Sequence, residues 1–448
     1  MKPGAGSLQL VFVAESYNQH SLAALCGALE VSGLADDLEV SFCGRRDLAH
    51  RIEAGQAGPA PMVIAWSFHT SNLVDVAETI AAVRPPSSPA GQPAWFLAGG
   101  AHPSGDPRGT LGLGFDHVLT GEGELAMALF LKAVLGRMEL KDVPGLVWRQ
   151  AGQTRRNPRG PAVELDRFPP ISVAYRRFAP IEITRGCGWG CRFCQTWSLL
   201  GREVRHRSVG AIVHWAEVAR AHRQRYLRFV SPDALAYGVP AGQPADPGRI
   251  EELLKAVNRV FPREQIFFGS FPSEARPESV TPETMAVVRR LAANDNIVIG
   301  AQSGSDRMLE RLHRGHAVSE VVRAVEVACA AGFRPIVDFI HALPGETEDD
   351  RAATLVLIDR LIGLGAQVHC HAFMPLPGTP LARSSLRPVD PDTRRQCRVD
   401  VRAGRLALCA AGRHRGLRPG QPVGELPPRR GLFPADLPDH LHRRRLLG

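Results

Sequence analysis

Cys187, Cys191 and Cys194 stand in the segment ITRGCGWGCRFCQTW with the spacing C-x3-C-x2-C, and Phe193 directly precedes the third. Three thiolates this close along a chain can wrap one face of an iron–sulfur cube and ligate three of its four irons. The fourth iron is then left for a ligand that is not protein, and an open iron means chemistry rather than electron storage alone. Two plainer readings compete. Zinc sites want four protein ligands and commonly pair two C-x2-C knuckles, whereas this chain has no second knuckle and only His206 nearby. A disulfide framework fits poorly with nine cysteines, an odd count in no regular pattern. A cluster is favoured, with zinc as the alternative.

The elements that must position these thiols emerge from the apolar pattern. Short apolar runs near 181–184, 226–231, 265–270, 297–302, 335–341 and 367–373 alternate with helical stretches such as 250–260 and 282–291. This predicts parallel strands joined by helices, with the cysteines in the Gly-rich loop after the first strand. Reactive groups of such barrels gather at the carboxyl ends of the strands. The first 136 residues repeat the alternation: apolar runs at 8–14, 38–43, 61–66, 94–98 and 115–119 are separated by helix-like segments such as 21–31 and 71–83. A parallel sheet covered on both faces is expected there, its ligands at the strand ends. Between the two, a hairpin is expected near 145–150, followed by Arg155, Arg156, Arg159 and five prolines from Pro158 to Pro180, a linker by composition.

The cysteine motif, with its aromatic residue before the last cysteine, resembles that of the radical S-adenosylmethionine (radical SAM) superfamily, where it follows the first strand of a partial barrel. That resemblance implies a 4Fe-4S cluster on Cys187, Cys191 and Cys194. It also implies S-adenosylmethionine at the open iron, reductive cleavage to a 5'-deoxyadenosyl radical, and a low-potential electron donor such as a flavodoxin or ferredoxin. The segment Ile299-Gly300-Ala301-Gln302-Ser303-Gly304-Ser305 is similar to the superfamily's G-x-E-S-G-S, with Gln302 where glutamate is common. Gln302 and Ser303 offer hydrogen bonds to the polar ends of S-adenosylmethionine, and a strand-to-helix turn is the structural alternative. The segment ending Leu343-Pro344-Gly345-Glu346-Thr347 resembles G-L-P-G-E-T, where Thr347 can cap a helix. The G-G-E triplet of many relatives is absent after the second strand, where Ser231 and Asp233 are possible substitutes. Arg276 is a candidate partner for the methionine carboxylate, or else part of a surface ion pair. With Phe193, Ser270 and Leu343 these residues make up the expected S-adenosylmethionine contacts.

The first domain resembles the cobalamin-binding domain, whose signature is Asp-x-His-x-x-Gly, then Ser-x-Leu, then Gly-Gly. Here the order is Asn18-x-His20, with Ala23 in place of the glycine, then Ser67, then Gly99-Gly100. Asn18 replaces the acid that orients the ligating histidine, so a cobalt not held by His20 is the reading the departure suits. Gly121-Glu122-Gly123-Glu124 resembles a GEGE segment of the same relatives and is read as a helix cap, with no catalytic role. His369 and His371 share one face of the sixth strand, with Cys370 opposite, either to handle protons or as hydrogen-bonded barrel residues. Cys26, Cys43, Cys329, Cys397 and Cys409 read as packing thiols.

The expected fold class is α/β: a cobalamin-binding-like doubly wound parallel sheet over 1–136, a hairpin and Pro/Arg-rich linker over 137–180, and a partial (β/α)6 radical SAM barrel over 181–385. An Arg/Pro-rich region over 386–448, partly disordered, completes the chain. Between Leu381 and Gly448 stand 15 Arg, no Lys and 6 acidic residues, so this tail carries the whole formal charge of +9. Nucleic acid is therefore not expected as a partner. No apolar run of about 18 residues is present, and the start is too short in apolar residues for a secretion signal, which points to a cytoplasmic enzyme with no membrane span. The expected activity is radical SAM chemistry, with cobalamin-dependent methyl transfer to an unknown substrate. Methylthio transfer or a radical rearrangement without cobalamin is the alternative, and a non-catalytic zinc or Fe–S module is the rival of another class.

Overall fold

The computed structural model describes residues 8–56, 60–84, 94–391, 393–395 and 406–408. The first sheet is built on β1 (Leu8–Val13) and β3 (Met62–Ser67), apolar runs whose residues are all buried on both sides. Such runs suit the centre of a parallel sheet covered on both faces. β2 (Leu38–Cys43), β4 (Ala94–Gly99) and β5 (His117–Leu119) join them in parallel, giving the order β2-β1-β3-β4-β5. Alternation along β1 feeds two cores: Leu10 and Phe12 pack with Leu22 and Phe130 on one face, Val11 and Val13 with Trp66 and Val76 on the other. The hairpin expected in the linker extends this sheet instead. β6 (Leu146–Gln150) pairs antiparallel with β5, and β7 (Gln153–Arg156) with β6, so seven strands run through residue 156.

The second unit opens with β8 (Ile181–Glu182) and β9 (Thr184–Arg185), the latter paired with β10 (Arg205–His206). β11 (Leu227–Val230) lies between β8 and β12 (Ile266–Phe267), all parallel. β13 (Asn296–Gln302), β14 (Arg334–His341) and β15 (Gln367–Ala372) form a second parallel arc, linked to the first by a bridge from Ala275 to Ile299. All six expected strands are present in order. A further strand, β16 (Leu406–Leu408), pairs parallel with β15 and was not expected from the sequence. One apolar cluster, including Ile183, Phe229, Leu254, Ile299, Val325 and Phe339, unites strands and helices. Among the described residues no helix is long and apolar enough to cross a membrane. The disorder expected for the Arg-rich tail, together with Cys397 and Cys409, falls outside the described residues apart from the short segments named above.

Candidate active site at the strand ends

The cysteine loop leaves β9 through Gly186, whose φ is +85° and where a Cβ would stand 2.0 Å from the Glu203 carbonyl oxygen. Only glycine fits. Backbone bonds hold the rest of the loop: Cys187 N–H donates to Gly201 O at 3.1 Å, and Cys194 N–H to Cys191 O at 3.1 Å. Cys191 is buried, and the other two cysteines are partly buried. The Arg314 guanidinium reaches Cys191 Sγ at 3.5 Å and is itself anchored on Gly300 O at 2.6 Å. The Thr196 N–H donates to Cys194 Sγ at 3.4 Å. Burial pushes the thiols of Cys187 and Cys194 up. Among the described residues, the group of three potential ligand atoms drawn within 4.8 Å of one another is Asp338–His369–His371, not the cysteines.

A cavity of about 810 Å³ opens over these thiols. Phe193, Ser231, Asp233, Arg276 and Gln302 line it together with the three cysteines. Ser231 Oγ is buried there without a protein partner, an orphan that a polar ligand satisfies. Gln302 sits at φ +74°, beside a register irregularity between Gly300 and Gln302 in the β13–β14 pairing. A non-glycine residue in that conformation is strained, as happens where structure serves a ligand. Asp233 accepts hydrogen bonds from Ser279 Oγ at 2.7 Å and Arg276 N–H at 3.4 Å, and burial pushes its carboxyl up to about 6. Arg276 is largely committed: it stacks 3.8 Å over Trp189 and gives its donors to Glu278 and the Arg314 carbonyl.

Three of the expected contacts do not reach the wall of this cavity. Leu343 is fully buried in a small core with Met308, Leu312 and Phe373. Ser303 Oγ accepts from Ser305 N–H at 3.2 Å beneath the strand end. Ser270 is buried with its hydroxyl unpaired. Arg314 and Glu274, both on the wall, were not found by sequence reasoning, since neither lies in a motif.

A second cavity, of about 270 Å³, lies between the first sheet and the barrel, and His20, Ser67, Gly99 and Gly100 line it. Gly100, at φ +93°, would bring a Cβ to 2.6 Å from Ser67 Oγ, so the turn demands glycine. A Cβ on Gly99 would meet nothing within 4 Å. It would instead enter the cavity, so the floor is kept smooth for whatever lies on it. Asn18 does not line this cavity. Its Nδ2 donates to Val13 O at 2.9 Å and Ser67 O at 3.1 Å while its Oδ1 accepts from Glu15 N–H at 2.9 Å, which ties the ends of β1 and β3 together and leaves the amide no role in aiming His20. The two cavities adjoin, with Glu182, Leu200 and Val230 in both walls.

Across this junction runs a buried ionic network. Arg185, two residues before Cys187, pairs with Glu122 at 3.1 Å, Glu124 at 2.6 Å and Glu182 at 2.5 Å, and Arg205 pairs with Glu122 at 2.5 Å. The GEGE segment opens a helix, as read from sequence, with Glu122 at its N-cap and Glu124 in its first turn, and its glutamates in addition clasp the strand that leads into the cysteine loop.

The family described as the radical SAM superfamily matches residues 181–358. A tRNA-2-methylthio-N(6)-dimethylallyladenosine synthase from Aromatoleum aromaticum is 30% identical over 312 residues, covering 65% of this chain and 67% of that protein. One from Mycobacterium bovis is 33% identical over 233 residues, or 50% of this chain and 44% of its own length. The chain belongs to the radical SAM superfamily, whose members are enzymes. It spans two thirds of the first relative and less than half of the second. Two solved structures share the fold. The radical SAM methyltransferase TsrM from Kitasatospora setae, with cobalamin and a [4Fe-4S] cluster bound, has a TM-score of 0.65 at 16% identity, covering 86% of this chain and 76% of that one. The cobalamin-dependent radical enzyme OxsB, with aqua-cobalamin and S-adenosylmethionine bound, has a TM-score of 0.63 at 18% identity, covering 79% and 52%.

Proposed function

We propose that this protein catalyses cobalamin-dependent radical methyl transfer, drawing both reagents to the junction of its two cavities. The observation that carries the reading is that junction: a cavity floored by three cysteines shares Glu182, Leu200 and Val230 with a second cavity floored by Ser67, Gly99 and Gly100. Cys187, Cys191 and Cys194 would hold the cluster, and the glycine floor would receive part of a corrinoid. When bound, the cluster supplies the electron that breaks the carbon–sulfur bond of S-adenosylmethionine, and the corrinoid supplies the methyl group. The chain's own residues bind and orient. Ser231 and Gln302 present polar atoms to the ligand's polar ends, the Arg314 cation offsets thiolate charge at Cys191, and apolar wall residues such as Val239, Phe373 and Leu376 keep water out.

The test is anaerobic purification and reconstitution with and without hydroxocobalamin, with iron, sulfide and corrinoid counted and 5'-deoxyadenosine and S-adenosylhomocysteine measured by mass spectrometry. Both nucleosides should form, the second only with corrinoid present. Cys191→Ala should lose the cluster and both products. Zinc without iron or sulfide in reconstituted protein would end the enzymatic reading. Deoxyadenosine formed with no corrinoid bound would favour a rearranging enzyme.

A further inference from the structure

We propose that Asp338, His369 and His371 form a second metal site, one for a divalent transition-metal ion, on the inner wall of the barrel. Asp338 on β14 stands directly opposite His369 on β15, and His371 follows two residues on, on the same face. His369 Nδ1 lies 3.0 Å and His371 Nε2 3.9 Å from one oxygen, Asp338 Oδ1. One ligand atom from each residue falls within 4.8 Å of the others. Two imidazoles and one carboxylate suit zinc, iron or cobalt rather than magnesium or calcium, which prefer all-oxygen shells.

A hydrogen-bonded Asp–His pair needs one imidazole, yet here two crowd one carboxylate, their ring centres 4.4 Å apart. Backbone placement is rigid, because both strands are central in their sheet. Asp338 and His371 line the 810 Å³ cavity. An ion on three protein ligands keeps an open position, as catalytic zinc does, and that position faces the space where a substrate must lie. The ion would therefore hold an oxygen or nitrogen donor of the substrate, a role independent of whether a corrinoid binds.

The experiment uses full-length, cluster-loaded protein under anaerobic conditions. Zinc chloride is added, excess is removed by gel filtration, and zinc, iron and sulfide are counted. One zinc per chain is expected, with a first shell of nitrogen and oxygen by zinc-edge X-ray absorption. Asp338→Asn and His371→Gln should each weaken zinc binding by about tenfold or more at unchanged iron and sulfide content. His369→Gln supplies a third arm should either variant fold poorly. Failure to retain zinc on cluster-loaded protein, sulfur in the zinc shell, or equal zinc affinity in the variants overturns the proposal. Corrinoid-dependent formation of S-adenosylhomocysteine by the unmodified protein, measured without added zinc, judges the methyl-transfer reading separately.

Discussion

Replacing Arg185 by methionine tests whether the ionic clasp between the domains holds the cysteine loop. The Arg185 side chain is 7% exposed and that of Glu124 6%, so water screens their 2.6 Å contact little. Removing one partner of a buried pair costs about 3–5 kcal/mol, because the opposite charge stays buried. Arg205 still neutralises Glu122 at 2.5 Å, which places the expected loss near the lower end, at about 3 kcal/mol. That is roughly a 150-fold change in the equilibrium between docked and opened domains. Methionine keeps most of the side-chain volume, so an empty cavity does not confuse the result. Urea unfolding, proteolysis within 157–180 and iron per chain are measured at several pH values. Burial pushes the Glu124 carboxyl up, but the Arg185 charge and hydrogen bond outweigh it and hold it below its ordinary value. The clasp is therefore fully formed above the ordinary carboxylate pKa of about 4.3 and fades as pH falls through the lowered one. The difference between the two proteins should be full at pH 7.5 and shrink in acid. A loss under about 1 kcal/mol at pH 7.5, with iron unchanged, would refute the reasoning.

Gly99→Phe should abolish corrinoid binding, read from its visible absorbance, while leaving the melting temperature nearly unchanged, because the new side chain enters open space. If the corrinoid still binds, the glycine floor is ordinary turn chemistry. His20→Ala should leave corrinoid affinity within about threefold, since a histidine ligand normally depends on an orienting partner, and Asn18 is spent on Val13 and Ser67. Nitrogen hyperfine splitting in the paramagnetic resonance spectrum of the reduced corrinoid, lost in His20→Ala, would contradict this. For Glu274 the folded-state carboxyl value of about 6 lies above the ordinary one, so its contribution is intact in acid and lost as pH rises through 6. With chelator present, Glu274→Gln should melt higher than the parent at pH 8 and equally at pH 4; the reverse order would discredit the assigned burial.

What could be read from the chain was what is local along it. The three cysteines lie within eight residues, and each barrel strand is one apolar run, so neither needed knowledge of a partner. β6 and β7 were legible as a hairpin but not as part of the first sheet, because pairing of β6 with β5 depends on the path of the helix between them. The contacts that shape the site join distant residues: Arg314 to Cys191 across 123 positions, Arg185 to Glu124 across 61. No periodicity or motif encodes such pairs. Asn18 shows the other failure, where a departure from a motif marked a change but not its purpose. Its amide bridges two strand ends, a task visible only once β1 and β3 lie side by side.

The curated relatives carry methylthio transfer in their names, and this differs from methyl transfer by one atom that must have a source. S-adenosylmethionine can give a methyl group, but the added sulfur has to come from a thiol or a sulfide within reach of the substrate. Outside the triad, the described cysteines are Cys26, Cys43, Cys329 and Cys370. None of them lines either cavity. Burial pushes the Cys26 thiol up to about 12 and those of Cys43 and Cys329 up as well, so they stay protonated and unreactive at neutral pH. Cys370 is buried on β15, with its sulfur 3.2 Å from His341 Nε2. Cys397 and Cys409 lie outside the described residues, and two thiols are too few to hold a second cluster of the kind the triad holds. Among the described residues no thiol outside the triad reaches either cavity, which supports the proposed methyl transfer, whose product would gain a methyl group and no sulfur. High-resolution mass spectrometry of the modified substrate decides the matter, and a sulfur-containing product would overturn the assignment to methyl transfer.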